Sequence, residues 1–95
     1  MNRARQHSPA HPGTVLRSYV EGYTVGAVAA HLGVSRVTLT RILTGKAGIT
    51  AEMSLKLGEA LGTSEDFWFK MQNNYDFWVA SQGERKPVAR LREAA

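Results

Sequence analysis

Apolar residues recur along this sequence at intervals of three and four, which is the spacing of one face of an α-helix. Pro12, which suits the first turn of a helix, precedes the first run. That run contains Val15, Leu16 and Tyr19. Four further runs follow, and none of them alternates apolar and polar residues as a half-buried strand does. The pattern therefore predicts an all-α domain of five helices.

Small polar residues and glycines mark the ends of the predicted helices. Thr24, Ser35 and Thr50 each precede an apolar run, and each can cap a first helical turn with its side-chain oxygen. Glycine tolerates the left-handed backbone that often follows the last turn of a helix. The glycines expected to end the first four helices are Gly22, Gly33, Gly45 and Gly62.

The fifth predicted helix holds most of the aromatic residues and is expected to start at a Ser64 cap. One of its faces is expected to pack on the other helices. The members of that face are Phe67, Met71, Tyr75 and Trp78. Other aromatic side chains would then point away from the core, and a monomer of this size seldom exposes such a patch. We therefore predict a dimer interface at Trp68, Phe69 and Phe77.

The composition divides the chain into three regions. Residues 1–11 are polar and basic and are expected to form a flexible N-terminal arm. The helical domain is predicted over residues 12–81, and residues 82–95 form a charged tail. The arm lacks the apolar run of a signal peptide, and no segment reaches the ~18 consecutive apolar residues of a membrane span. We expect a cytoplasmic protein that does not enter a membrane.

The positive charge is concentrated in the first half of the chain. The net charge is +4, but residues 1–50 contain six basic residues and one acidic residue. Residues 51–95 contain six basic and seven acidic residues. A local excess of positive charge favours a polyanionic partner such as double-stranded DNA. Charge alone is equally compatible with a basic protein of another function.

The segment from Val25 to Thr44 meets the requirements of a helix-turn-helix. Ala29 is small where the two helices cross, and Gly33 can adopt the positive φ of the turn. Leu39 and Ile42 can face inward from the second helix of the motif. The apolar residues that complete this small core are Val28, Leu32 and Val34. A plain helical hairpin in another bundle is the competing interpretation of the same pattern.

Burial of the inward face leaves the opposite face of the motif's second helix, here called the recognition helix, free to contact DNA. An arginine can donate two hydrogen bonds to guanine, so Arg36 and Arg41 are expected at base edges together with Thr38. Val37 can make an apolar contact there. A helix N-terminus offers backbone N–H groups to a phosphate. The predicted phosphate contacts are Ser35, Thr40, Thr44, Lys46 and the start of the preceding helix at Thr24 and Val25.

The whole pattern resembles the HigA-type antitoxins, within the phage-repressor-like (XRE) helix-turn-helix family. The matching stretches are the opening His11-Pro12-Gly13, the middle from Leu32 to Thr50, and the ending with Phe67-Trp68 and Asn74-Tyr75-Asp76. The resemblance implies a homodimer that represses its own operon at a palindromic operator. It also implies neutralisation of a small toxin protein, typically an mRNA-cleaving ribonuclease. The family's DNA contacts carry over to Ser35, Thr38 and Arg41.

Other classes of function compete with this interpretation. No enzyme is expected, because the chain has no cysteine, no nucleophile elbow and no histidine pair at i,i+4 on a predicted helix. We predict neither a metal nor a cofactor. A pure protein-interaction module would bind a toxin without contacting DNA, but Arg36, Arg41 and Lys46 on one surface argue against it. A stand-alone repressor with no toxin partner is the alternative that the sequence leaves open.

Overall fold

The computed structural model describes residues 8–92, which contain five α-helices and no strand. The predicted all-α architecture is confirmed. The helices are α1 (Pro12–Tyr19), α2 (Val25–Leu32), α3 (Arg36–Leu43), α4 (Ala51–Leu61) and α5 (Phe67–Gln82). Residues 84–92 follow α5 without helix or strand. Residues 1–7 of the predicted arm and 93–95 of the predicted tail lie outside the described residues.

Side-chain caps start the first four helices. Thr24, Ser35 and Thr50 each accept a hydrogen bond from the backbone N–H three residues later, at 3.0–3.1 Å, so the three predicted caps are confirmed. His11 adds a fourth cap, because its Nδ1 accepts from the N–H of Gly13 at 2.9 Å. Each cap satisfies a backbone donor that the helix itself leaves without an acceptor.

The turn between α2 and α3 has the predicted form, whereas α1 ends earlier than predicted. Gly33 has a φ of 72° and ends α2 in the left-handed conformation. α1 stops at Tyr19, and Gly22, with a φ of 92°, lies in the turn that follows. The sharp α2–α3 turn sets α3 across α2, as a helix-turn-helix requires.

α5 starts three residues after Ser64, and the expected cap is wrong. The helix begins at Phe67 and no side chain caps it. The reason is the buried hydroxyl of Ser54 in α4, which donates to the carbonyl of Glu65 at 2.6 Å and accepts from the N–H of Phe69 at 3.1 Å. A contact between two helices therefore satisfies groups that a local cap would otherwise serve.

One apolar core joins all five helices. Its buried members are Leu16, Ala29, Leu32, Leu39, Ile42, Ile49, Met53, Leu57 and Trp68. The inward positions predicted for the helix-turn-helix are confirmed, since Ala29, Leu39 and Ile42 are at most 3% exposed. Their burial fixes the rotation of α3 about its own axis and hence which residues it presents outward.

The buried face of α5 includes the predicted residues, but its most buried members are Trp68 and Gln72, which were not among them. Trp68 is 0% exposed and Gln72 is 6% exposed. The members of the predicted face are half-buried, and Phe67 and Met71 pack against the core as expected. The other two are Tyr75 and Trp78. The indole N–H of Trp68 donates to the hydroxyl of Thr63 at 3.0 Å, and Gln72 Oε1 accepts from the N–H of Ile49 at 2.9 Å. These two hydrogen bonds hold the helix so that its most buried residues lie one position after the predicted Phe67 and Met71.

α5 runs antiparallel to α1. The ring of Trp68 lies 5.0 Å from that of Tyr19 at the end of α1, and the ring of Tyr75 lies 4.7 Å from that of His11 at its start. The last two turns of α5 therefore extend beyond the start of α1. Nearer its middle, α5 lies against the loop between α3 and α4, where Gln72 bonds to Ile49.

Candidate nucleic-acid interface

The exposed face of α3, the start of α2 and the loop after α3 form a continuous polar surface. All ten residues predicted to contact DNA are exposed. They are Thr24, Val25, Ser35, Arg36, Val37, Thr38, Thr40, Arg41, Thr44 and Lys46. Val37 is 68% exposed although it is apolar, whereas Leu39 and Ile42 on the opposite face are buried. α3 therefore contributes to the core through one face and leaves the other open to a partner.

Ser35 and Thr38 are linked at the start of α3. Ser35 Oγ accepts from the N–H of Thr38 at 3.0 Å and donates to the Thr38 hydroxyl at 2.9 Å. The hydroxyl of Thr38 is thereby held in place as an acceptor, and its own hydrogen can point outward. Thr38 is the better placed of the two to donate to a base or a phosphate.

Arg36 lies against the first turn of α2. A Cβ added at Gly26 would lie 2.8 Å from Nη2 of Arg36 and 2.9 Å from its Nε. Glycine at position 26 leaves this space for the guanidinium, and any larger residue there would shift the exposed arginine side chain. The group is thereby placed beside the start of α2, where Thr24 and Val25 were predicted to meet a phosphate. This geometry favours a phosphate over a base edge as the partner of Arg36.

Gly26 is a residue that the sequence analysis did not identify. A glycine within the first turn lowers the stability of a helix, and at this position it does not terminate a helix either. This loss of helix stability without a local reason was the signal by which the sequence could have identified Gly26. Its partner Arg36 lies ten residues further along the chain, so the close approach depends on how α2 and α3 cross.

Arg41 fixes the loop that follows α3. Its Nη2 donates to the carbonyl of Lys46 at 3.2 Å, while its own carbonyl accepts from the N–H of Lys46 at 2.8 Å and of Ala47 at 3.0 Å. A guanidinium has five N–H donors, so most of them stay available to DNA. The bond also brings the exposed Lys46 and Arg41 onto the same edge of the surface.

Thr44 is less suited to the predicted phosphate contact. Its hydroxyl donates to the carbonyl of Thr40 at 2.8 Å within the same helix. A phosphate oxygen requires a donor, and this hydroxyl has already used its hydrogen. Thr40 is also exposed, and its hydroxyl donates to no group in the described part of the chain. The geometry therefore favours Thr40 over Thr44.

No carboxylate within residues 8–92 lies close enough to pair with the cations of this surface. The ion pairs among the described residues lie away from this surface. On α4, Lys56 pairs with Glu52 at 4.0 Å, and at the start of α5, Lys70 pairs with Asp66 at 3.0 Å. The hydrogen bond from Lys70 and then its charge hold the pKa of Asp66 below its usual value. The charges of Arg36, Arg41 and Lys46 are thus left for an anionic partner.

The predicted dimer interface needs one correction. Trp68 is 0% exposed, so it packs inside its own chain and has no surface left for a partner. The error arose because α5 is rotated about its axis so that Trp68 and Gln72 face the core. Phe69 and Phe77 are 37% and 62% exposed, and their place in an interface stays a prediction.

The chain is similar to several proteins of known type. A family model described as a helix-turn-helix domain matches residues 3–66. Antitoxin HigA-1 of Vibrio cholerae is 33% identical over 79 residues, which are 80% of this chain and 74% of that protein. Virulence-associated protein A' of Dichelobacter nodosus is 37% identical over 75 residues, or 76% of this chain. That match spans 65% of the Dichelobacter protein, slightly less than two thirds.

A solved structure shares the arrangement of the helices. Antitoxin HigA of Pseudomonas aeruginosa, determined with the higBA promoter, superimposes with a TM-score of 0.74 and is 34% identical. The superposition covers 78% of this chain and 84% of that chain. At this identity and coverage the likeness extends over the helix-turn-helix and the helices that follow it.

None of the helices between residues 8 and 92 is long and apolar enough to cross a membrane.

Proposed function

Because this chain belongs to the HigA family of helix-turn-helix proteins, we propose that it is an antitoxin that represses its own operon. It binds a palindromic operator as a homodimer and neutralises a small toxin protein. The family is one of DNA-binding regulators and antitoxins, and this member acts by occupying its partners without catalysing a reaction. Residues 12–81 form the DNA-binding domain, and the protein acts in the cytoplasm.

The observation that carries the proposal is the division of α3 into a buried and an exposed face. Leu39 and Ile42 anchor the helix, while the opposite face presents polar and basic side chains. Arg36, Arg41 and Lys46 carry positive charge without a carboxylate partner among the described residues. A rigid helix with unpaired cations and exposed hydroxyl groups suits the major groove of DNA.

We assign base edges and phosphates to different residues of this surface. Thr38 and Arg41 lie on the open face of α3 and contact base edges. Arg36 with the start of α2, and Lys46 in the loop after α3, contact the phosphates on the two sides of the groove. A dimer places two copies of α3 in successive major grooves, about 34 Å apart.

Titration of the purified protein against the DNA upstream of its own gene tests this repressor role. Scrambled DNA of the same length is the comparison, and both are titrated at two salt concentrations. Preferential binding to the upstream DNA that weakens as salt rises is the expected result, since phosphate contacts release counterions. Equal affinity for both sequences would overturn the role as a repressor of its own operon.

The toxin partner follows from the family and needs a separate test. The neighbouring small open reading frame is expressed in a host cell with and without this protein. We expect its product to arrest growth alone, to be harmless in the presence of this protein, and to purify with it as a complex. A harmless neighbour that forms no complex would leave a stand-alone repressor, the alternative function.

A further inference from the structure

Residues 84–92 concentrate positive charge outside the helix-turn-helix. Four of these nine residues are basic and one, Glu84, is acidic. The basic residues are Arg85, Lys86, Arg90 and Arg92. The exposed surface of α3 and its loop carries three cations, so this short segment holds one more cation and, with Glu84 subtracted, the same net charge of +3.

These four cations have no partner elsewhere in the described part of the chain. Both lysines on the helices beyond the DNA surface, Lys56 and Lys70, are paired with carboxylates. No ion pair or hydrogen bond joins the side chains of residues 84–92 to residues 8–83. Every residue of the segment is exposed, and Val88 and Leu91 are 85% and 101% exposed, so the segment does not pack on the domain.

The segment follows a helix whose middle lies beside the proposed DNA contact. The middle of α5 lies against the loop between α3 and α4, because Gln72 bonds to Ile49 and Tyr75 packs on His11. That loop carries Lys46. Two further turns of helix, about 10 Å, lead from Tyr75 to the end of α5. Nine extended residues then span at most ~30 Å, enough to reach phosphates beside those that Lys46 contacts.

We propose that residues 84–92 are a second, sequence-independent DNA contact, whose four cations bind phosphates flanking the operator. This inference rests on the proposed function as a DNA-binding repressor. Duplex DNA carries one negative charge per ~1.7 Å of its axis, so an extended basic segment meets phosphates wherever it lies. The segment raises affinity for any duplex and leaves the choice of sequence to α3.

Salt dependence measures this contact directly. A variant with Arg85→Gln, Lys86→Gln, Arg90→Gln and Arg92→Gln is compared with the unchanged protein on operator and scrambled DNA between 50 and 200 mM salt. Each phosphate contact adds ~0.9 to the slope of log affinity against log salt. Removing eight cations from a dimer should therefore lower the slope by about 7 units if all of them contact phosphates, and by about 4 units if half of them do. The ratio of affinities for the two DNAs should stay constant.

Two matched controls separate the position of the charges from their number. The pair Lys56→Gln and Lys70→Gln removes as much charge as the pair Arg90→Gln and Arg92→Gln, but from α4 and α5. Only the latter pair should lower the slope by more than about one unit. A variant with Val88→Ser and Leu91→Ser keeps the charge and should keep the slope.

The outcomes distinguish this inference from the proposed function. If the unchanged protein does not prefer its operator, the repressor role itself fails. If it prefers the operator and the four-residue variant keeps the same slope, the segment does not contact DNA and the inference is wrong. Normal DNA binding together with loss of the toxin complex in that variant would assign the segment to an acidic protein partner and would also overturn it.

Discussion

Arg41 is a single side chain with two tasks, since it holds the loop at Lys46 and faces the proposed DNA site. We expect Arg41→Ala to weaken operator binding by about 1–3 kcal/mol, the usual worth of an arginine at a base edge. The lost hydrogen bond is exposed, so stability should fall by no more than ~1 kcal/mol. Fluorescence anisotropy on labelled operator measures the first quantity, and thermal unfolding measures the second.

Lys70→Ala is the matched control for Arg41→Ala, because it removes the same charge from an exposed position on α5. It should leave the preference for operator over scrambled DNA unchanged. Operator affinity in Arg41→Ala equal to that of the unchanged protein would remove Arg41 from the site.

Gly26 offers a test in which stability and binding move in opposite directions. Gly26→Ala should stabilise α2 by ~0.5–1 kcal/mol, because alanine favours a helix more than glycine does. The same Cβ occupies the space of the Arg36 guanidinium and should weaken DNA binding. Thermal unfolding and anisotropy on the same sample measure the two effects.

A double-mutant cycle identifies the route of the Gly26 effect. If the added Cβ acts by displacing Arg36, Gly26→Ala should have no further effect on binding in an Arg36→Ala background. An additive loss in the double variant would show that Gly26 acts on DNA binding without Arg36.

At the scale of helices, local sequence predicted the starts that local bonds determine. Thr24, Ser35 and Thr50 cap their own helices, so a short stretch of sequence was sufficient. The start and the rotation of α5 depend instead on Ser54 and Gln72, two buried polar residues with partners on other elements. Apolar periodicity assigns polar residues to exposed positions, so the burial of Ser54 and Gln72 could not be predicted from the sequence.

Gln72 ties α5 to the loop that carries Lys46. Gln72→Ala leaves the buried N–H of Ile49 without its acceptor, and we expect a loss of about 1–3 kcal/mol of unfolding free energy. For a domain of this size each 1 kcal/mol corresponds to roughly 4–8 °C in Tm. Circular dichroism during heating measures the change. Asn73→Ala on the exposed neighbouring position is the control, and an equal Tm for both variants would refute this role.

At the scale of the whole molecule, the candidate site was predicted more completely than the interface between subunits. The exposed face of α3 follows from its two buried residues, which the sequence identified. The dimer prediction assigned Trp68 to the outside, because the rotation of α5 depends on distant hydrogen bonds. A wrong rotation of a helix changes which residues are predicted at an interface formed by that helix.

Phe77 is the sharper test of the dimer, since it is 62% exposed near the end of α5. We expect Phe77→Ser to shift the protein towards the monomer in sedimentation velocity and to weaken binding to a complete palindrome more than to a half-site. Leu55→Ser, at an apolar residue of α4 that is 45% exposed, is the control. An unchanged monomer fraction in Phe77→Ser would place the interface elsewhere.

The two faces of α3 also bear on how such proteins diverge. Leu39 and Ile42 are the buried residues of this helix, so most of its other positions can change during evolution without loss of the fold. A duplicated gene needs only a few substitutions there to leave its ancestral operator and acquire another. The two copies then become insulated from each other's promoters, and one genome can carry several such systems that do not silence one another.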